Sequence, residues 1–302
     1  MKILNIGSLN IDFVYKVKNF LMPGETMTAN SLKVLPGGKG LNQSIAIKRA
    51  GVSVYHCGNI GNDGELLYYT LLQEGIIVDY IKKDKEKCGH AMIQVNDVGE
   101  NMIVVFSGAN CKISKKHINT VLNNFSIGDI VLMQGETNNI DFVINEAYKK
   151  GLRIIINLAP ISDRLLNLDF SKVDTLIVNR VELSQIAKTD DIEEGIKRLK
   201  KLYNLNLLVT LGKNGGIYID SNGKRYEYDS FDVDAIDTTA AGDTFIGYFI
   251  SGLYKNIPLE ENLKIASAAA AICVSVNGSS AAVPTFLEVQ KFIDNYRKDK
   301  SC

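Results

Sequence analysis

Short apolar runs alternate along the chain with stretches whose apolar residues recur at helical spacing. ILNIGS, VYHCGN, DIVLMQG, RIIINLA, TLIVN and NLLVTLG each read as a buried strand ending in small or polar residues. LNQSIAIKRAG, ELLYYTLLQEG and DFVINEAYKKG lie between several of them, carry a helical apolar period and stop at glycine. This alternation predicts an α/β fold: a central, mostly parallel sheet with helices on both faces. Ligands of such sheets bind beyond the carboxyl ends of the strands, so the polar residues there carry the most interest. Two regions break the rhythm. FVYKVKNF after Asp12, and the pair AMIQV and MIVVF around NDVGEN, predict antiparallel strands with a glycine-containing turn. A sheet that small is not stable alone, so it must cover a site as a lid or pair with another copy. The expected organisation is a single domain over residues 1–302, with lid strands within about 12–35 and 88–107.

Composition narrows the class. A chain of 302 residues, 46% of them hydrophobic, can bury a full core. Its 34 acidic and 34 basic side chains cancel, which argues against nucleic acid or an acidic membrane as the main partner. LKIASAAAAICVSV is too short and alanine-rich for a membrane span, and MKILNIGSLNID reaches polar residues too soon for a signal peptide. Five cysteines (Cys57, Cys88, Cys111, Cys273, Cys302) form no CxxC and, with three scattered histidines, offer no zinc spacing. They read as reduced thiols, and a cytoplasmic protein is expected.

The most specific motif is DTTAAGDTF, Asp237 to Phe245, where small residues lie between two aspartates just before a helix. Small residues allow close backbone approach, and a helix start aims unpaired N–H groups at whatever is approached. Asp243 can cap that helix, or stand beside a bound anion and take a proton. A monovalent cation held by Asp237 and nearby carbonyls would explain the first acid. Gly278, in AAAAICVSVNGSSAAVP, can bring carbonyls close, although a packed helix and loop would look the same. In GSLNID, Asn10 and Asp12 point to one side of an extended segment and can fork onto neighbouring sugar hydroxyls; a polar turn is the plainer alternative. PGGKGLNQS opens a helix with Lys39 and Asn42 projecting from its start. It is no nucleotide P-loop, because Gly40 follows Lys39 where serine or threonine is needed. No GxGxxG occurs, which weakens a nicotinamide dehydrogenase. Glu136 in LMQGE, and Asn179 and Glu182 in NRVE, follow strands, where acids usually cap helices. TLGKNGG, Thr210 to Gly216, can hold phosphates on backbone amides or be a hairpin turn before the strand IYID.

In this order, GSLNID, PGET, GGKGLNQ, IGNDG, GENMIVVFSGAN, LMQGE, NLAP, NRVE, TLGKNGG, DTTAAGDTF and the AAAA helix resemble the ribokinase-like (PfkB) family of carbohydrate kinases nearly end to end. The resemblance implies ATP-dependent phosphorylation of the primary hydroxyl of a small sugar, with ribose first. Fructose, a sugar phosphate, deoxyribose or adenosine are the alternatives within the family, and a non-catalytic sugar sensor the alternative outside it. It implies that Asn10, Ile11, Asp12, Gly38, Lys39, Gly40, Leu41, Asn42 and Glu136 bind the sugar, with Ala91, Ile93 and Val105 as apolar lid contacts. Asn179, Thr210, Leu211, Gly212, Lys213, Asn214, Gly215, Gly242, Asp243 and Ser267 would contact ATP. Amides of Ala240, Ala241, Gly242 and Asp243 would meet the migrating phosphoryl group, with Asp243 the base. Glu182 would hold Mg2+ through water, and Asp237, Thr239, Cys273, Val276, Gly278 and Ala282 would surround a monovalent cation, K+. Ser267 and Ala282 stand where the family often has histidine and serine. A homodimer is expected from the apolar lid strands.

Overall fold

In the computed structural model, which describes residues 1–299, all six apolar runs become adjacent parallel strands of one sheet. The strands are β1 (Ile3–Ile6), β2 (Asn10–Lys16), β3 (Ser31–Gly37), β4 (Tyr55–Ile60), β5 (Ile77–Lys83), β6 (Gly89–Val95) and β7 (Asn101–Phe106). They continue with β8 (Ile130–Gln134), β9 (Arg153–Asn157), β10 (Thr175–Asn179), β11 (Asn206–Thr210), β12 (Gly216–Ile219) and β13 (Arg225–Tyr228). The main sheet runs β13-β12-β11-β10-β9-β8-β1-β4-β5. Side chains alternate across a strand, and these strands are apolar on both sides. Ile3, Leu132, Ile155 and Leu208 therefore join one core, against helices Lys39–Arg49, Ala241–Tyr254 and Leu259–Val274. Leu4, Val131, Ile156 and Val209 join the other, against helices Ile140–Lys149, Arg180–Ala187 and Ile192–Leu202. Cys57, Cys88 and Cys273 are buried free thiols and Cys111 an exposed one; Cys302 lies outside the described residues.

Edges depart from the expected pattern. β5 and the antiparallel β12–β13 end close the sheet on either side, and neither IVDYIKK nor RYEY has a continuous apolar run. Strands with solvent beside them need none. The chain winds from β1 to β4 and β5 on one side, then returns to β8 and continues to β11 on the other. Such a reversal leaves a crevice beyond the carboxyl ends of β1 and β8.

The small sheet has the order β3-β2-β6-β7. Its outer pairs are antiparallel as expected, but the central pair, β2 with β6, is parallel. Consecutive strands joined by one loop turn back on each other; β2 and β6 are separated by an excursion through the main sheet and are free to run together. The NDVGEN turn closes as expected, with Asn96 Oδ1 accepting from the amides of Val98 and Glu100. Among the described residues no helix is long and apolar enough to cross a membrane.

Candidate active site

At the β1–β8 crevice the Ser8 hydroxyl donates to Glu136 Oε2, which also accepts the Lys39 amide at 3.1 Å. The Gly40 amide donates to Ser8 Oγ at 3.1 Å and the Leu41 amide to Ser8 O at 3.0 Å, so the helix start is seated on the loop after β1. Only glycine fits this contact: a Cβ on Gly40 would lie 2.4 Å from the Ser8 nitrogen. Gly38, the residue before the helix, has φ 95°, which also suits glycine.

Asn10 and Asp12 follow on β2, buried and on one face, with Ala91 opposite Asp12, Ile93 opposite Val14, and Val105 opposite Ala91. Alternation sends Ile11 the other way, into the core, and Leu41 is likewise a fully buried core side chain. Neither side chain faces the crevice, so a sugar contact at these two positions would fall to the backbone. Asn110, to which the sequence reading assigns no role, donates to Asn10 Oδ1 at 2.7 Å and accepts the Leu9 amide at 2.9 Å. With its oxygen held toward Asn110, Asn10 directs its NH2 group elsewhere. Burial, reinforced by the charge of Glu136, pushes the Asp12 carboxyl up to about 7. Burial also raises Glu136, against the opposing pull of Ser8 and Lys39.

Asp243 lies deeper, in the first turn of helix Ala241–Tyr254. Asn42 Nδ2 donates to its Oδ2 at 3.1 Å and Gln43 Nε2 to its Oδ1 at 2.8 Å. Asn42 Oδ1 is buried with no partner among the described residues, beside the carboxylate. The charge of Asp243, outweighing burial and aided by Glu136 and Glu182, holds the Lys39 ammonium above its usual range. Lys39 is thus a fixed cation among three acids.

The turn before this helix places Ala240 in the left-handed region, φ 62°, where alanine is uncommon. The Ala241 amide is directed to Thr238 O at 3.4 Å, while those of Gly242 and Asp243 have no partner among the described residues. A Cβ on Gly242 would meet nothing within 4 Å. Glycine is therefore not required there by the protein's own packing. The open space belongs to a cavity of about 1060 Å³ lined by Thr210, Gly212 to Gly215, Ala241, Gly242, Phe245 and Ser267, among others. A nucleotide fits a cleft of that volume with free amides at a helix start on one wall. Ser267 is itself held, its hydroxyl donating to Asp229 O at 2.9 Å. Leu211 and Asn179 do not line the cavity. Leu211 closes the hairpin through its amide to Gly215 O at 2.8 Å, and Asn179 forms a reciprocal cap with Glu182.

That cap bears on Glu182. Its oxygens accept the Asn179 amide at 2.9 Å and the Asn179 side-chain NH2 at 2.8 Å, which leaves lone pairs for a water but no bare carboxylate. Burial raises its pKa, with the cap and Lys39 opposing. Among the described residues no group of three or more histidine, cysteine, aspartate or glutamate side chains could hold a metal. Asp237 accepts the amides of Thr239 at 2.9 Å and Gly278 at 3.1 Å, bringing the two loops of the expected cation site together. Those bonds overcome burial and hold Asp237 below the usual carboxylate range. The Cys273 carbonyl receives the Val276 amide at 3.4 Å, and the Cys273 thiol reaches Thr239 O at 3.7 Å. Arg49 binds the neighbouring carbonyl of Ser280 at 3.3 Å, beside buried Ala282. A carboxylate held low in pKa beside these two loops is an oxygen donor that a cation bound there would use.

The sequence pattern of pfkB family carbohydrate kinases matches residues 1–286. The chain belongs to that family. The kinase is 34% identical to the ribokinase of Haemophilus influenzae, over 96% of this chain and 97% of that one. It superposes on Thermotoga maritima ribokinase with TM-score 0.85 and 32% identity, over 97% of this chain and 99% of that one. On Arabidopsis thaliana ribokinase complexed with ribose and ATP the TM-score is 0.84 at 29% identity, covering 96% and 98%. In the kinase, then, Asp243 is bonded to Asn42, and the residue before it, Gly242, lines the large cleft.

Proposed function

We propose that this kinase transfers the γ-phosphoryl group of ATP to the primary hydroxyl of D-ribose, giving ribose 5-phosphate. The observation that carries this reading is the place of Asp243, bonded to Asn42 and set at a helix start whose Gly242 and Asp243 amides have no partner among the described residues. Asp243 accepts the hydroxyl proton as that oxygen attacks the γ-phosphorus, and the bond to the departing ADP oxygen breaks. The two amides donate to the charge spread over the phosphoryl oxygens, and Lys39 adds a full positive charge. Asn10, turned by Asn110, donates to a sugar oxygen, while Asp12 and Asn42 Oδ1 accept from hydroxyls; this pattern favours a sugar with adjacent hydroxyls over deoxyribose. Glu182 would hold Mg2+ through water, and the ion would supply charge that neutralises the phosphates. K+ in the loops of Asp237 and Gly278 is supported by that carboxylate's low pKa. Leu32, Val34, Met92, Met102 and Val104 are exposed on the lid face opposite Asp12, which supports a homodimer paired through the lids. Balanced charge and reduced thiols support a cytoplasmic location.

The test is ATP consumption with ribose, deoxyribose, fructose, fructose phosphate and adenosine, with and without potassium. Ribose should be turned over fastest, and no activity on any pentose would overturn the assignment. Asp243→Asn should lower kcat by about 10²–10⁴-fold with both substrates still binding; near wild-type turnover would remove Asp243 as the base.

A further inference from the structure

Asp243 ends a row of buried side-chain amides that contact with substrate does not explain. Gln43 Nε2 donates to Asp243 Oδ1 at 2.8 Å and to Asn157 Oδ1 at 3.3 Å. Gln134 Nε2 donates to Gln43 Oε1 at 2.8 Å and to Asn5 Oδ1 at 2.9 Å. Asn5 Nδ2 donates to Gly40 O and to Ser44 Oγ, both at 2.8 Å. Asn5, Gln43, Ser44 and Gln134 are completely buried.

The direction of every bond is set from the far end. A backbone carbonyl only accepts, so Asn5 must show its NH2 to Gly40 and its oxygen to Gln134. Gln134 must then show NH2 to Asn5, and the second hydrogen of that group falls on Gln43 Oε1. With its oxygen occupied, Gln43 can present only N–H to Asp243. The branch through Ser44 agrees. His56 Nε2 lies 3.2 Å from the Gly7 carbonyl and has to donate to it, so Nδ1 of the neutral ring accepts the Ser44 hydroxyl at 2.8 Å. Burial keeps that ring neutral, pushing it down to about 4. The arrangement has a visible cost, because Gln134 Oε1 is buried without a partner among the described residues. Flipping Gln134 would set its oxygen against the oxygens of Asn5 and Gln43, so the orphan persists.

We infer that Gln43 and Gln134 are positioning residues, which fix the Asp243 carboxylate in one orientation with an N–H on Oδ1 and keep it an acceptor. The inference rests on Asp243 being the base. Gln134→Glu keeps the shape but replaces a double donor with an acceptor, so Gln43 must turn its NH2 to the new carboxylate and its oxygen to Asp243. An oxygen facing Asp243 favours the protonated acid. The variant should lose at least about ten-fold in kcat at neutral pH, with KM for ribose and ATP within about three-fold and the acid limb of the kcat–pH profile moved upward. In a Gln43→Met background the same substitution should cost no more than about two-fold further, because the effect runs through Gln43. A full additional loss there would mean that the new charge acts directly, and would overturn the inference. Should Gln134→Glu fail to fold, Gln134→Met, nearly equal in volume, carries the test. A drop in its kcat at unchanged KM supports the inference, whereas wild-type kcat, or a KM rise matching the loss, overturns it. Asp243→Asn assayed alongside separates the two claims: if it keeps turnover the base assignment fails, and if only the Gln134 variants keep it the positioning role fails.

Discussion

Asp12 is the residue at which burial acts most directly on ligand binding. Its carboxyl, pushed up to about 7 by burial and then by Glu136, changes charge within the working range of an enzyme. A protonated Asp12 offers one acceptor fewer to a sugar hydroxyl, so ribose binding should weaken as pH falls. KM for ribose is expected to rise about ten-fold between pH 8 and pH 6, and Asp12→Asn should flatten that slope while raising KM throughout. A pH-independent KM in the wild-type kinase would show that Asp12 is not an acceptor for the sugar. The same group affects folding. Between the ordinary carboxyl range and about 7 the folded, sugar-free protein holds a proton that the unfolded chain has released. Its contribution to stability is therefore present at low pH and lost as pH rises through that window. Thermal melts should show Asp12→Asn gaining on the wild type at pH 8 and not at pH 4; an equal difference at both values would contradict the raised pKa.

Two helix starts meet at the site, and each carries a glycine for a different reason. Gly40 is closed in by the backbone of Ser8, 2.4 Å from where its Cβ would be, so Gly40→Ala must displace the loop after β1. A loss of about 1–3 kcal/mol is expected from such overpacking, read as a lower Tm. Gly242 is open on its Cβ side, with nothing within 4 Å. Gly242→Ala in that helix should leave Tm unchanged or raise stability by about 0.5–1 kcal/mol. Its cost should appear only with nucleotide, as at least a ten-fold or so loss in kcat/KM for ATP. If Gly242→Ala lowered Tm and left ATP kinetics alone, the helix start would be a structural turn and not a phosphate cradle. The contrast also shows what local sequence conveys. PGGKG and DTTAAGD both announce a helix entry built of small residues, but only the packed chain tells which glycine faces protein and which faces open space.

At the scale of the whole molecule, the layered sheet was legible because its strands are apolar on both faces, and runs such as RIIIN and TLIVN occur for no other evident reason. β5 and β13 were not, since edge strands lack that run. In the site, the residues on glycine loops were legible and their holders were not. Asn110 meets Asn10 across 100 positions, and Gln43 meets Asp243 across 200, and no local pattern encodes contacts that distant. A faint signal did exist: Asn5, His56, Gln134 and Asn157 are polar residues in largely apolar strands, and in the sheet they fall close together. The lid poses the remaining question at this scale, because four strands with apolar side chains on both faces cannot satisfy both with one active site. One face bears Asp12; on the other, Val104 is 69% and Met102 54% exposed, beside Met92 and Val34 at 47% each. An apolar patch of this kind marks a contact, and a second lid, with the same patch, is the partner proposed for it. Val104→Lys with Met102→Lys places charges at the centre of that contact without touching the core. The wild-type kinase should sediment at twice the chain mass and the double variant at the mass of one chain, with ribose KM raised because an unpaired lid closes less often, and ATP KM little changed. A wild-type protein that sediments as a single chain, or a double variant still paired, would leave the exposed face without a partner of this kind.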